Sequence, residues 1–189
     1  SKIERTLKTT KNVSVNSQTI ATYLEYLEES FLFSQAKRYD VKGKKYFLYP
    51  SKYYCTDMGL RNARLNFRQQ EETHAMENII YNELLVRGFS VDVGVVSIMK
   101  VDENGKRHQN QYEIDFVVNK GMRKYYIQSA LAINSSDKEE SELRPFLETK
   151  DFFKKIIVTK SNMKPWFDDN GIYHVGLYDF LLDESILNS

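Results

Sequence analysis

Tyr112-Glu-Ile-Asp-Phe-Val-Val118 and Lys124-Tyr-Tyr-Ile-Gln-Ser-Ala-Leu-Ala-Ile133 are the two segments that decide the fold of this 189-residue chain. Both are rich in aromatic and β-branched residues, which favour β-strands. The residues between them include Gly121, which predicts a tight turn. The two segments are therefore expected to form neighbouring strands of one sheet.

Polar side chains recur at every second position of these strands. Because successive side chains point to opposite faces of a strand, Glu113 and Asp115 are expected on one face, with Ile114 and Phe116 on the other. Gln128 lies on a corresponding polar face of the second strand, so the two polar faces are expected to line one pocket. An alternative stays open, in which the two carboxylates belong to the solvated face of an edge strand.

The second part of the chain is predicted to contain a helix, three or four strands, a second helix and a further strand. A helix is predicted from Glu71 to Arg87, because apolar residues recur there at helical spacing and Gly88 follows. A charged helix is expected over about residues 136–148, followed by a buried strand over residues 154–159. This order predicts an α/β (α+β) fold, in which a mixed sheet is flanked by helices.

The first part of the chain predicts a smaller unit. A helix over residues 18–30 begins at a capping residue, Asn16 or Ser17. After it come a strand, a basic turn with a glycine, a second strand and a third strand, at 31–39, Asp40-Val-Lys-Gly-Lys-Lys45, 46–49 and 52–56. A helix followed by a hairpin with a basic tip is typical of a winged helix.

The composition bears on the class of protein. The formal net charge of +1 gives no global electrostatic case for a nucleic-acid partner, so such a case must rest on local patches. The single cysteine allows no disulfide within the chain and fits a reducing cytosol. No apolar run approaches the about 20 residues that span a bilayer. We therefore expect a cytoplasmic protein without a membrane partner.

The order of a helix glutamate, a strand aspartate and a following acid-x-Lys motif resembles the PD-(D/E)XK nuclease superfamily. By that resemblance Glu77, Asp115 and Gln128 fall on the metal-site positions, and Ala130 falls on the lysine position. In an active nuclease of this type the carboxylates hold Mg²⁺, and the lysine stabilises charge that develops on the phosphate. The resemblance therefore implies a nuclease-like domain, over residues 70–189, whose catalytic motif is degraded.

Nearly the whole chain, residues 10–187, resembles the C-terminal region of a family of prokaryotic AAA+ type ATPases. The matching segments are Ser17–Tyr39, Lys52–Asn62, Met76–Leu84, Glu113–Val117 and Tyr126–Ala130. In that family a P-loop domain precedes a winged helix and a nuclease-like domain of unknown function. The resemblance implies a winged-helix domain over residues 10–66. No P-loop motif occurs in this sequence, so we expect a fragment without a cofactor of its own, and ATP bound in an upstream domain.

The function that the resemblance implies is that of a non-catalytic portion of an ATPase, which binds a partner, DNA, and couples that binding to ATP turnover upstream. DNA contacts are expected from the clustered cations of the hairpin, Lys37, Arg38, Lys42, Lys44 and Lys45. One alternative is a Mg²⁺-dependent nuclease with a displaced lysine, whose metal is held by Glu77 and Asp115. Another is a protein-interaction or regulatory module without DNA binding, which docks on the upstream ATPase domain.

Overall fold

The computed structural model describes residues 2–47, 50–68, 71–102, 105–132 and 136–187. The helices are α1 (Lys2–Lys11), α2 (Ser17–Glu29), α3 (Met58–Arg64), α4 (Glu72–Val86), α5 (Ser136–Leu147) and α6 (Leu177–Leu182), followed by a 3₁₀ turn at Glu184–Leu187. The strands are β1 (Phe33–Ala36), β2 (Arg38–Asp40), β3 (Lys45–Tyr46), β4 (Lys52–Cys55), β5 (Ser90–Val101), β6 (Arg107–Lys120), β7 (Arg123–Ala130), β8 (Lys154–Thr159), β9 (Trp166–Phe167) and β10 (Tyr173–Gly176).

Eight of these strands form one mixed sheet, in the order β3-β2-β5-β6-β7-β8-β10-β9. The central strands β5, β6 and β7 are antiparallel, whereas β7, β8 and β10 run parallel. Parallel neighbours need a crossover connection, and α5 supplies one between β7 and β8. The predicted mixed α/β fold with flanking helices is confirmed.

Two apolar clusters cover the two faces of the sheet. The α4-side cluster includes Ile80 and Leu84 of α4, together with Phe116 and Ile127. The α5-side cluster covers the other face, and its members include Ile114, Tyr126, Ala130, Leu143 and Phe146. The helix α4 packs through residues at helical spacing and ends where Gly88 takes a positive φ of 78°.

A β-bulge lies in the middle of β6. Asp92 of β5 pairs with Val117, but Gly94 pairs with Ile114, so β6 carries one extra residue between these pairs. Ile114 consequently belongs to the α5-side cluster while Phe116 belongs to the α4-side cluster. The expectation that these two side chains share a face was wrong, because a bulge interrupts the alternation on which it rested.

The N-terminal elements are connected to the large sheet. Asn16 caps α2 by accepting a hydrogen bond from the Thr19 N–H at 2.7 Å. The predicted antiparallel pairing across the basic turn is confirmed for β2 and β3, and Tyr49 of the predicted second arm lies outside the described residues. However, β2 also pairs in parallel with β5, while β1 pairs with β4 in a separate two-stranded sheet.

The predicted boundary between residues 66 and 70 falls between α3 and α4. Hydrogen bonds cross it, because β2 before the boundary pairs with β5 after it. The division into a winged helix over 10–66 and a nuclease-like domain over 70–189 stays a prediction.

The crowding around Gly94 gives a test of the bulge. A Cβ atom there would lie 2.8 Å from Val117 Cγ2 and 2.9 Å from Ile114 Cβ, so Gly94→Ala forces the strands apart. We expect a loss of about 1–3 kcal/mol in the free energy of unfolding, measured by urea denaturation. Ser90→Ala, at an exposed position of the same strand, is the control and should change stability by less than about 0.5 kcal/mol. An unchanged midpoint for Gly94→Ala would contradict the close approach of β5 and β6.

Candidate functional site

Three carboxylates from two elements converge on one lysine. Lys52, on β4, places its Nζ 2.9 Å from Glu77 Oε1 on α4 and 2.6 Å from Glu113 Oε1 on β6. The same ammonium lies 3.8 Å from Asp115 Oδ1. We call Lys52, Glu77, Glu113 and Asp115 the carboxylate cluster. Glu77 and Asp115 therefore do come together, but around an ammonium group.

Two further side chains complete the surroundings of the carboxylate cluster. Tyr54, two residues after Lys52 on β4, donates its hydroxyl to Glu77 Oε1 at 2.6 Å. Arg38 of β2 places Nη1 2.6 Å from Glu113 Oε2, on the opposite oxygen from Lys52. With all groups ionised, two cations face three carboxylates, so the site has a net charge of −1.

Asp115 occupies the point where two central strands separate. The backbone pairing of β6 and β7 runs from Lys120 and Arg123 to Phe116 and Ile127 and stops there. One residue further, side chains replace the backbone ladder. The Ser129 N–H donates to Asp115 Oδ2 at 2.9 Å, and the Asp115 N–H donates to Gln128 Oε1 at 3.2 Å. A carboxylate in this gap is buried and still hydrogen-bonded.

The electrostatics of the carboxylate cluster shift two pKa values. Burial, reinforced by the negative charge of Glu77, raises the pKa of Asp115 to about 7, although Lys52 and the Ser129 N–H oppose the change. Burial lowers the pKa of Lys52, but the surrounding carboxylates, Glu77 first, outweigh it and the pKa of Lys52 rises. Lys52 is therefore a firmly charged ammonium, whereas Asp115 exchanges its proton near neutral pH.

Gln128 is not part of the carboxylate cluster. Its Nε2 donates to Glu142 Oε2 of α5 at 2.9 Å, and Ala130 on the same face of β7 belongs to the α5-side cluster. Glu77 instead lies on α4, which packs on the opposite face of the sheet. The expected single pocket lined by both polar faces does not form, because Gln128 turns toward α5.

Lys52 is the residue that sequence reasoning missed. The signal was a lysine and a tyrosine two residues apart on the strand predicted over 52–56, which places both side chains on one face. The pattern did not indicate which element that face would meet, because β4 and β6 lie far apart in the sequence.

The basic residues of the hairpin differ in their surroundings. Lys37, Lys44 and Lys45 are exposed. Arg38 is half-buried in its ion pair with Glu113, and Lys42 lies 3.6 Å from Glu148 Oε2. The exposed lysines are therefore better placed than Arg38 to contact a large anionic partner.

The geometry favours a structural ion cluster over a metal centre. Mg²⁺ requires several oxygen ligands at about 2.0–2.1 Å in near-octahedral geometry. Glu77, Glu113 and Asp115 each face the Lys52 ammonium, which would repel a divalent cation placed between them. Within the described ranges no group of three or more His, Cys, Asp or Glu residues is arranged to hold a metal ion. These residues, with Lys52 in place, do not fit Mg²⁺.

Comparisons with known proteins relate both parts of the chain to families without an assigned function. Residues 72–180 match the domain of unknown function DUF4143, and residues 2–71 match the domain of unknown function DUF8612. An uncharacterized protein of Haemophilus influenzae is 37% identical over 182 residues. That match covers 96% of this chain and 41% of the relative, so the chain spans about two fifths of the relative's length. No solved structure matches.

Removing the ammonium tests the role of Lys52. In Lys52→Met the three carboxylates lose their shared cation, and we expect a loss of about 2–4 kcal/mol in the free energy of unfolding. Lys160→Met is the matched control, because Lys160 pairs with Glu72 at 2.9 Å but its side chain is 52% exposed, against 27% for Lys52. Urea denaturation should show less than about 1 kcal/mol for the control. Equal losses in the two variants would show that the carboxylate cluster is an ordinary surface contact.

The raised pKa of Asp115 predicts a pH dependence of stability. An aspartate titrates near pH 3.9 in an unfolded chain and Asp115 titrates near 7 in the fold, so the folded state binds an extra proton between these values. The stability that this group contributes is present at acidic pH and is lost as the pH rises through about 7. Asp115→Asn should therefore gain stability relative to the parent protein as the pH rises from about 4 to 8.

The measurement is urea denaturation of both proteins across this pH range, with the Asp115 carboxyl followed by NMR. Asp183→Asn is the control, because hydrogen bonds from Ser185 lower the pKa of that exposed carboxyl, and the substitution should show no such gain. Parallel pH profiles for the parent protein and Asp115→Asn would contradict the raised pKa.

Proposed function

This chain belongs to the DUF4143 family, and we propose that it is the C-terminal, non-catalytic, partner-binding portion of an AAA+ type ATP-binding protein, with DNA as the partner. The observation that carries the proposal is the Lys52 ammonium at the centre of the carboxylate cluster. A nuclease of the type that the sequence resembles needs a metal ion at this point.

The charges at the site support a non-catalytic role. The Lys52 ammonium is already paired with Glu77 and Glu113, and burial favours the neutral form of Asp115. Gln128 is a neutral side chain directed to Glu142, and Ala130 has no group that can stabilise a developing charge. The carboxylate cluster serves instead to hold β4, β2 and α4 against β6.

DNA as the partner is supported by the exposed lysines of the basic hairpin. Lys44 lies in the turn between β2 and β3, Lys45 begins β3, and Lys37 precedes β2 at the same edge of the large sheet. Clustered lysines contact phosphates without reading sequence, and each contact releases counterions. Arg38 and Lys42 are assigned a smaller part, since Glu113 and Glu148 neutralise them.

The upstream ATPase domain of the same polypeptide is the second partner that we propose. More than half of the relative from Haemophilus influenzae lies outside the matched region, since the match covers 41% of it. The N-terminal helices expose large apolar side chains, namely Tyr23, Tyr26, Phe31, Leu60 and Phe67. Phe31 and Phe67 are also held at positive φ, 57° and 55°, at the ends of α2 and α3, a conformation that bulky residues rarely adopt. Contact with another domain would bury these side chains, and ATP would bind in that domain.

The DNA proposal is tested by fluorescence anisotropy with a labelled duplex across a salt series. Replacing Lys37, Lys44 and Lys45 together by Gln should weaken binding and reduce the slope of log K against log salt by about 0.9 for each phosphate that is no longer neutralised. The matched control replaces Lys8, Lys160 and Lys164, exposed lysines outside the hairpin, and carries the same change in charge. Equal effects of the two triple variants would mean that only total charge matters and would reject the hairpin as the contact surface.

The same samples, incubated with Mg²⁺ and analysed on a gel, decide between the proposal and its alternatives. We expect intact DNA. Cleavage that is lost in Asp115→Ala would instead support the nuclease alternative, with Asp115 as part of its site. No DNA binding by the parent protein at low salt would leave the protein-interaction module, and the exposed apolar side chains of α2 and α3 would then be its first candidate surface.

A further inference from the structure

The hairpin of β5 and β6 extends beyond the rest of the large sheet. β2 pairs with β5 at residues 93–95, and β7 pairs with β6 at residues 116–120. Residues 97–101 and 107–111 pair only with each other in the part of the chain that the structure describes. We call these two stretches the ribbon. At about 3.3 Å per residue the ribbon is roughly 16 Å long. Among the described residues, no further strand pairs with either of its edges.

Both faces of the ribbon are exposed. Residues 107–111 of β6 and 99–101 of β5 are all exposed, in contrast to the buried residues 114–118 of the same hairpin. Because side chains alternate, Arg107, Gln109 and Gln111 share one face of β6. A guanidinium and two amides in a row form a set of hydrogen-bond donors and acceptors rather than an apolar docking face.

The tip of the ribbon is held in place by one aspartate. Asp102 accepts a hydrogen bond from the Lys106 N–H at 2.8 Å through Oδ1, and its Oδ2 lies 2.7 Å from His108 Nε2. The Gly105 N–H donates to the Asp102 carbonyl at 3.0 Å. These contacts connect the two strands of the ribbon at its end and occupy both carboxylate oxygens of Asp102.

Basic groups surround the ribbon, and the acids of its described residues and of its base are engaged. Lys100 and Arg107 lie on the ribbon and Lys106 on its turn. Glu113, next along the face of Gln109 and Gln111, is paired with Arg38 and Lys52. The face therefore offers a positive end and an uncharged middle to an anionic partner.

On the other face, several hydrogen-bond donors surround Tyr112 at the base of the ribbon. The Arg144 guanidinium lies over the Tyr112 ring, 5.8 Å from its centre. Hydrogen bonds from Arg144, and then from Asn110 and Lys100, lower the pKa of the Tyr112 hydroxyl. An open groove of about 420 Å³ is lined by residues 109–112, which belong to both faces of β6. Cationic groups therefore lie at the base of the ribbon on this face as well.

The basic hairpin lies at the base of the ribbon. β2 runs parallel to β5, and the Val41 N–H donates to the Val95 carbonyl at 3.0 Å just before the ribbon begins. Tyr39 of β2 and Ile98 of the ribbon pack against the same α5-side cluster. The turn that carries Lys44 and the ribbon therefore lie next to each other at one end of the sheet.

We propose that the ribbon enters the major groove of duplex DNA, with Arg107, Gln109 and Gln111 facing the base edges. The major groove is about 12 Å wide and admits a two-stranded β-ribbon. Arginine pairs with guanine and glutamine with adenine at the groove edges, while lysines at the base contact phosphates. This inference rests on the proposed function and adds to it the element that reads sequence. A protein strand added to an open edge is the competing occupant, but strand addition makes no use of the row of amides and the guanidinium.

Site-specific crosslinking tests the placement of the ribbon. A photo-crosslinking side chain at Gln109 should capture a bound duplex, and the same group at Leu182, 83% exposed on α6, should not. The major-groove ligand methyl green should displace the protein, and the minor-groove ligand netropsin should displace it far less. Replacing Gln109 and Gln111 by Ala should weaken binding to a duplex selected by the parent protein from a random-sequence pool about tenfold or more and leave the salt slope unchanged.

The outcomes separate this inference from the proposed function. Binding that depends on the hairpin lysines, without capture at Gln109, would overturn the ribbon proposal and leave DNA binding intact. Capture at Gln109 with no effect of the hairpin lysines would support the ribbon and reject the hairpin as the phosphate contact. A parent protein that binds no duplex at low salt would overturn both proposals.

Discussion

The Lys52 ammonium, held between three carboxylates, is the interaction on which the arrangement of this protein depends. It joins β4 to α4 through Glu77 and to β6 through Glu113. Without a cation, the partly buried carboxylates would repel each other, and the contacts among β4, α4 and β6 would loosen to admit water. Arg38 extends the same network to β2, so the first part of the chain is fastened to the sheet by ion pairs as well as by strand pairing.

The carboxylate cluster exists because the central strands separate at Asp115. The bulge adds a residue to β6, the ladder to β7 ends at Phe116, and the Asp115 carboxylate fills the gap by accepting the Ser129 N–H. Here the Lys52 ammonium, which comes from a different strand, supplies the positive charge. Unlike a metal ion, an ammonium has no open coordination position. An ammonium does not generate hydroxide as a bound Mg²⁺ can, and the ion pairs of Lys52 connect β4 to α4 and β6.

Much of the fold was predictable, because the signals were local. Strand composition, the helix α4 with its glycine stop and the turn between β2 and β3 each depend on residues close in sequence. The bulge was not predictable, since it depends on how Gly94 and Ile114 pack across two strands. The site was predictable in part: Glu77 and Asp115 were identified, but Gln128 bonds to Glu142, and Lys52 reaches the site from β4. Which charged side chain fills a site is set by the tertiary pairing of distant strands, and local sequence patterns do not reveal that pairing.

The net charge of +1 is also a poor indicator of the charge of a binding partner, because the tertiary structure decides which charges are exposed. Counting residues gives equal weight to Glu113, which is paired with two cations, and to Lys44, which is exposed at a turn. Only charges that solvent or a ligand can reach contribute to association. The carboxylate cluster contains more negative than positive groups, so its burial removes more negative than positive charge from the accessible surface. The end of the sheet formed by the basic hairpin and the ribbon consequently has a more positive surface than the composition indicates. An anionic partner would respond to that local field, because at physiological ionic strength charges more than about 8 Å away are largely screened.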